Sequence, residues 1–334
     1  MKDNNARSAT VKGYMDSINI LFELRNLPIP SDFRDIDNMN VKLHAALEKE
    51  ENVAKQRSPL TKEMFAHMVM KGKSSPINSA MAVLYDWFCV IRIAGCRCAE
   101  YAQTKQTSID VHEYPSGRTV VKAVTAADWT FYAKDGSIID SDDWQTNSVV
   151  PHKVRLLFRI QKNRQNGQTL TIVADDSHVD ICPVRAAYRI FIRAKALGQS
   201  DNEPLGVFIN HQGIKRYLTG SKVADLLRAV AKEVHPDMSK EELSKMSSHS
   251  GRVWALVLLD EAGMSPSFIE ACLRWLGDSY RLYLRDTSVI QQHHIRALNP
   301  ASDEIINIVD CANLPTIVPT DDNMGNYDAD PLAD

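Results

Sequence analysis

The sequence lacks a long apolar segment. No stretch of its 334 residues approaches the roughly 18–20 uncharged apolar residues of a membrane-spanning helix, although 44% of the residues are hydrophobic. The opening segment, MKDNNARSATVKGYMDS, is too polar for a secretory signal. These two absences predict a protein without a membrane partner.

The chain also lacks a cysteine framework. Cys96 and Cys98 have no second pair to complete a four-ligand zinc site, and no disulfide spacing is present. The six cysteines are scattered over positions 89, 96, 98, 182, 272 and 311. Because several fall within apolar helical patterns, we predict reduced core thiols and no bound metal.

Basic residues are missing from the C-terminal segment, residues 301–334. This segment holds eight Asp and Glu residues and three prolines, and it contains no Lys or Arg. Subtracting its charge from the net charge of −3 leaves +5 on residues 1–300. A mildly basic body with an acidic tail is compatible with phosphate binding, and a solvated surface of mixed charge would give the same total.

Helical periodicity is present on both sides of a strand-rich middle section. The predicted helices are 7–26, 39–56, 61–72, 79–94, 183–197, 221–235, 247–263 and 265–275. The predicted strands are 118–124, 127–133, 152–160 and 168–174, with Asn166-Gly167 as the turn between the last two. This order predicts an α+β fold rather than a doubly wound sheet. Three regions are predicted: a short helical domain 1–57, a main domain 58–300 and a flexible acidic tail 301–334.

Two side chains near residue 250 are spaced for binding one anion. His249 and Arg252 lie three residues apart on one face of a predicted helix, so both can bind the same phosphate. Ser247-Ser248-His249 forms a cap region before that helix, where backbone N–H groups also favour an anion. A helix-start histidine beside a solvated arginine is the structural alternative.

A second arginine with a nearby carboxylate occurs earlier in the chain. In Ala94-Gly-Cys-Arg97-Cys-Ala-Glu100, the Arg97 guanidinium is a fixed fork that suits two phosphate oxygens. Glu100, one helical turn later, is placed to orient a neighbouring cation. An ordinary Arg–Glu surface pair is the alternative for these two residues.

The order of these residues resembles the catalytic domain of the tyrosine recombinases and integrases. The matching features are an arginine box, a β-hairpin, a His-x-x-Arg box, a tryptophan and a tyrosine, over about residues 58–290 and more faintly 10–57. The ending Arg274-Trp275…Tyr280-Arg-Leu-Tyr283-Leu-Arg285 is similar to the Crypton and DIRS transposon recombinases. The resemblance implies a mainly helical catalytic domain with a small antiparallel sheet, preceded by a short core-binding-like helical domain.

The resemblance also implies the residues that hold the phosphate. Arg97 and Arg252 would bind its oxygens, and His249 would donate to it and assist proton removal from the tyrosine. Trp275 would donate its indole N–H while its ring packs against the core, where a plain core tryptophan would also fit. Glu100 would support the site.

Two further roles are implied for a lysine and a tyrosine. Lys162, in the hairpin, would protonate the leaving 5′ oxygen, with Lys153 and Arg164 as nearby competitors. Tyr283, eight residues after Trp275, would be the nucleophile, and Tyr280 would be a packing residue.

The implied function is that of a site-specific DNA recombinase or integrase of a mobile element, which cuts and rejoins DNA through a 3′-phosphotyrosyl intermediate. Such chemistry needs no metal, nucleotide or other cofactor. The expected partners are double-stranded DNA and further copies of the chain, as a dimer to tetramer on DNA. The expected location is the nucleus in a eukaryote and the cytoplasm otherwise. Two alternatives stay open: a domesticated or truncated DNA-binding protein without strand exchange, and relaxation of DNA as by a type IB topoisomerase.

Overall fold

Two compact units make up the described part of the chain. The computed structural model describes residues 8–50, 57–139, 150–161, 166–275 and 284. The described part of the first unit is 8–50, and the second unit holds the other described residues. Over these residues the chain forms helices and small antiparallel sheets, which confirms the predicted α+β class.

The first unit consists of two helices, α1 (Ser8–Leu24) and α2 (Arg34–Glu50). The sequence pattern placed the second helix at 39–56, whereas α2 begins five residues earlier. Asp35 and Asp37 lie in its first turn, where negative charge interacts favourably with the helix dipole. This start carries few apolar residues, so hydrophobic periodicity did not reveal it.

The second unit contains the remaining elements. Its helices are α3 (Lys62–Ser74), α4 (Ala80–Ala94), α5 (Cys98–Tyr101), α6 (Pro183–Ala196), α7 (Gly220–Val234), α8 (Lys240–Lys245), α9 (Ser250–Glu261) and α10 (Pro266–Leu273). Its strands are β1 (Val111–Glu113), β2 (Thr119–Val121), β3 (Trp129–Tyr132), β4 (Lys153–Phe158), β5 (Gln168–Val173), β6 (Val207–Ile209) and β7 (Lys215–Tyr217).

Helix α4 lies at the centre of the second unit. Every residue from 82 to 91 is buried, and the helix packs against α3, α6 and α9. A helix whose side chains are buried on every face is stable only when it is surrounded by protein. Ser79 caps its first turn by accepting a hydrogen bond from the Ala82 N–H at 3.2 Å, so its start is fixed by the sequence.

The largest sheet carries the predicted hairpin. Its strand order is β3-β4-β5, all antiparallel, and the two-stranded β1-β2 and β6-β7 ladders are separate. Phe158 pairs with Gln168, so the β4–β5 connection spans residues 159–167. Asn166 and Gly167 form a turn directly before β5, as predicted, and Gly167 takes a φ of 84° there.

Among the described residues, no helix combines the length and apolar character needed to cross a bilayer. The five described cysteines are free, and Cys89, Cys96 and Cys182 are buried. Burial raises the pKa of the Cys89 and Cys96 thiols to about 12, which keeps both protonated at neutral pH.

Candidate active site

The candidate site lies at the C-terminal end of α4, where the chain turns at Gly95. Gly95 adopts the left-handed conformation, with φ 54° and ψ 39°, and its N–H donates to the Ile91 carbonyl at 2.7 Å. A Cβ at this position would lie 2.5 Å from Leu273 Cδ2. Glycine therefore serves two purposes here, since it permits the turn and lets the end of α10 approach α4.

We expect Gly95→Ala to lower the free energy of unfolding by about 3 kcal/mol, because a left-handed alanine costs about 1–2 kcal/mol and overpacking of a filled core adds about 1–3 kcal/mol. Gly263→Ala is the matched control. Gly263 has a φ of 72°, but no atom lies within 4 Å of the position that a Cβ would take, so only the conformational cost applies. Urea denaturation measures both variants, and equal losses would contradict the close approach of Leu273 to Gly95.

Arg97 is the N-cap residue of the short helix α5, and its guanidinium joins three parts of the chain. Its Nη1 donates to Glu100 Oε1 at 3.4 Å and to Gln161 Oε1 at 3.2 Å, and its Nη2 donates to the Arg274 carbonyl at 3.0 Å. The Arg97 backbone N–H donates to Glu100 Oε2 at 2.8 Å. Burial lowers the pKa of Arg97, yet 19% of its side chain stays exposed, so an anion can reach it.

Arg252 lies in the first turn of α9 and is buried, with 2% of its surface exposed. Its two terminal nitrogens donate to the carbonyls of Gly95 and Leu273, which ties the end of α4 to the end of α10. Burial, together with the positive charges of Arg97 and Arg274, lowers the pKa of Arg252 to about 9. The guanidinium therefore stays charged at neutral pH.

The start of α9 carries both members of the predicted second box. His249 is the N-cap of this helix, as predicted, and its N–H donates to Ser247 Oγ at 3.2 Å. A Cβ on Gly251 would lie 3.0 Å from atoms of Phe88 and Ile91. This glycine allows α9 to begin directly against α4, which brings Arg252 to the same place as Arg97.

Trp275 covers the buried arginine. The centre of its ring lies 4.8 Å from the Arg252 guanidinium carbon, a distance typical of a cation–π contact. The ring also packs against a small apolar cluster that includes Leu273 and Leu284. The predicted packing role of this tryptophan is thus present, and donation to a phosphate stays a prediction.

Sequence reasoning gave no role to Arg274, which the structure places inside the site. Its Nη2 donates to Glu100 Oε2 at 2.9 Å, and only 5% of its surface is exposed. The one available signal was its position directly before Trp275 in the quoted Arg-Trp motif.

Two of the predicted site residues, Lys162 and Tyr283, lie outside the described residues, as do Arg164 and Tyr280. Their described chain neighbours do reach the site region. Gln161, directly before Lys162, accepts the hydrogen bond from Arg97, and Leu284, directly after Tyr283, is buried beside Trp275 and Leu273.

The assembled site carries excess positive charge. Arg97 and Arg274 both donate to the Glu100 carboxylate, and Arg252, which donates to the Gly95 carbonyl, lies close enough for the charges of all three groups to act on it. Such a set of fixed N–H donors is suited to a phosphate group. Within the described ranges, no cluster of three or more His, Cys, Asp or Glu side chains is arranged to hold a metal ion.

No protein-family model and no curated protein matches this sequence. Several solved structures are distantly similar to it. For XerA recombinase, the TM-score is 0.41 at 12% identity, over 90% of this chain and 86% of that one. For the Tn1549 transposon integrase in complex with circular intermediate DNA, the TM-score is 0.42 at 12% sequence identity, and the match covers 89% of this chain and 82% of the integrase chain. For XerH site-specific recombinase bound to its difH substrate, the TM-score is 0.39 at 10% sequence identity, and the match covers 87% of this chain and 70% of the XerH chain.

Proposed function

We propose that this chain is a DNA recombinase or integrase of a mobile element, which cuts and rejoins double-stranded DNA through a 3′-phosphotyrosyl intermediate. The observation that carries the proposal is the convergence of Arg97 and Arg252. The two arginines come from motifs far apart in the sequence, yet both guanidiniums are fixed around the Gly95 turn, with Trp275 over one of them.

The proposed reaction is a phosphoryl transfer in two steps. The Tyr283 hydroxyl attacks phosphorus, the bond from phosphorus to the 5′ oxygen breaks, and Lys162 supplies the proton that the departing 5′ oxygen takes up. His249 accepts the proton of the tyrosine. A 5′ hydroxyl of another strand then attacks the phosphorus and gives its proton to Lys162. The bond from phosphorus to the tyrosine oxygen breaks, and His249 returns the proton to Tyr283, so the bond energy is conserved and no nucleotide is consumed.

The arginines act in this scheme by electrostatics. Arg97 and Arg252 stabilise the negative charge that develops on the non-bridging oxygens, and preorganised donors of this kind lower the barrier without having to move. Both guanidiniums are already fixed by hydrogen bonds to carbonyl or carboxylate oxygens. Exchange of strands between two duplexes requires several copies of the chain, so we propose assembly as a dimer to tetramer on DNA.

Trapping of the covalent intermediate tests this function. The substrate is a nicked duplex, enriched from a random-sequence pool for binding to the protein, in which loss of a short fragment after cleavage prevents rejoining. We expect a protein–DNA adduct on a denaturing gel, and mass spectrometry of the digested adduct should locate the DNA on Tyr283.

Other outcomes separate the alternatives. Stable binding of the selected duplex without any adduct would contradict the enzymatic proposal and support a DNA-binding protein without strand exchange. An adduct accompanied by relaxation of supercoiled plasmid, with no joining of two duplexes, would support a topoisomerase activity instead.

A further inference from the structure

Arg274 occupies a backbone conformation that is costly for its residue type. Its φ of 56° and ψ of 46° are left-handed, and among the described residues only Asn26 shares a positive φ without being glycine. Glycine is the usual residue at such a helix end because it has no Cβ to strain. An arginine held there indicates that its side chain makes contacts that outweigh the strain.

The guanidinium of Arg274 makes its contacts inside the protein. Nη1 and Nη2 form a fork on Glu100, at 3.4 Å to Oε1 and 2.9 Å to Oε2. Nη2 also lies 3.3 Å from the Ala94 carbonyl and 3.4 Å from that of Gly95. On its face lies the Phe158 ring, with 3.3 Å between the ring centre and the guanidinium carbon. The side chain therefore points towards the other site residues rather than towards solvent.

The backbone of Arg274 contributes as well. Its carbonyl accepts the hydrogen bond from Arg97 Nη2 at 3.0 Å. Its left-handed conformation ends α10, and the next residue, Trp275, donates its backbone N–H to the Glu270 carbonyl at 3.0 Å while its ring lies over Arg252. One residue thus touches or orients Arg97, Glu100 and the tryptophan that covers Arg252.

We infer that Arg274 is a positioning residue: it holds Glu100 and, through its carbonyl, Arg97, and its turn places Trp275 over Arg252, so that both guanidiniums stay in place for the phosphate. This inference rests on the proposed function. Glu100 is shared between Arg97 and Arg274. Without Arg274, the whole negative charge of the carboxylate acts on Arg97 and competes with the phosphate for its N–H donors.

The test compares the adduct rate at saturating nicked duplex, from the same enriched pool, across a set of variants. Arg274→Gln should form the adduct about 100-fold more slowly, the loss typical of a misplaced catalytic group, while its affinity for the duplex stays within about threefold. Arg274→Gly should show the same loss of rate although it relieves the backbone strain, so its thermal unfolding midpoint should be at least that of Arg274→Gln.

Charge rescue distinguishes positioning from a purely structural role. In the Glu100→Gln/Arg274→Gln double variant the uncompensated carboxylate is gone, so the adduct rate should recover about tenfold over Arg274→Gln, a coupling of ordinary size for contacting residues.

The matched control is Arg193→Gln. Arg193 is equally buried, pairs with the buried carboxylate of Asp86 and donates to the Ile77 carbonyl, away from the site. It should lose stability but keep its adduct rate.

Each outcome has a distinct meaning. An Arg274→Gln protein that is folded and reacts at the wild-type rate would overturn the positioning role and leave the proposed function intact. A double variant as slow as Arg274→Gln would also overturn it, since loss of structure alone explains that result. If the wild-type chain binds the duplex and forms no adduct, the proposed function itself is wrong, and this role with it.

Discussion

The Tyr283→Phe variant is expected to bind DNA like the wild-type chain and to form no covalent adduct. Phenylalanine keeps the ring but removes the hydroxyl that attacks phosphorus, so the variant lacks the proposed nucleophile. Loss of a covalent nucleophile typically reduces turnover by at least about 10,000-fold. The measurement is the suicide-substrate gel, scored against the affinity of each protein for the same nicked duplex.

Tyr280→Phe is the matched control, because the two tyrosines lie three residues apart in one short segment. Tyr283 lies eight residues after Trp275, the spacing on which the predicted assignment rests, and its neighbour Leu284 is buried in the cluster that packs against Trp275. A phenol of pKa ~10 reacts poorly at neutral pH unless nearby cations favour its ionised form, and in the proposed function the arginine cluster has that task. An adduct lost in Tyr280→Phe but kept in Tyr283→Phe would reverse the assignment.

Local sequence signals predicted the long elements of the second unit well. Thr61 caps α3 by accepting from the Met64 N–H at 3.2 Å, as its position before an apolar helix indicated. Gly95 ends α4 in the left-handed conformation, and Pro266 begins α10 after the Ser265 cap. In each case a single residue of a characteristic type marks the end of a helix, and this signal can be recognised from the neighbouring sequence alone.

The features that the sequence did not reveal depend on distant contacts. Helix α5 spans only four residues, Cys98–Tyr101, too few for a periodicity to appear, and Tyr101 is fixed by its hydroxyl donating to the Ser248 carbonyl at 2.9 Å. The role of Arg274 was missed for the same reason, because it depends on contacts with residues such as Glu100 that are remote in the sequence. Motif order predicted Arg97 and Arg252 as site residues, and the fold shows which groups hold their side chains.

Substitution of Arg252 has the second largest expected effect, and the choice of replacement separates charge from geometry. Arg252→Lys keeps a positive charge but replaces a planar fork with a single ammonium group, which cannot hold the Gly95 and Leu273 carbonyls and a phosphate in one arrangement. We expect the adduct rate to fall by about 100–1,000-fold, the loss that follows removal of one preorganised donor to a developing charge.

The same substitution should lower the free energy of unfolding by about 1–3 kcal/mol, because a buried carbonyl at the α4 or α10 end loses its donor. Arg228→Lys is the matched control: its side chain is 40% exposed and pairs with Asp225 on the surface of α7, so both rate and stability should stay close to wild type. The rate is measured with saturating duplex and the stability by urea denaturation. If Arg252→Lys is destabilised but reacts within about threefold of the wild-type rate, then Arg252 only joins α4 to α10, and the phosphate-binding role that the resemblance assigns to it is wrong.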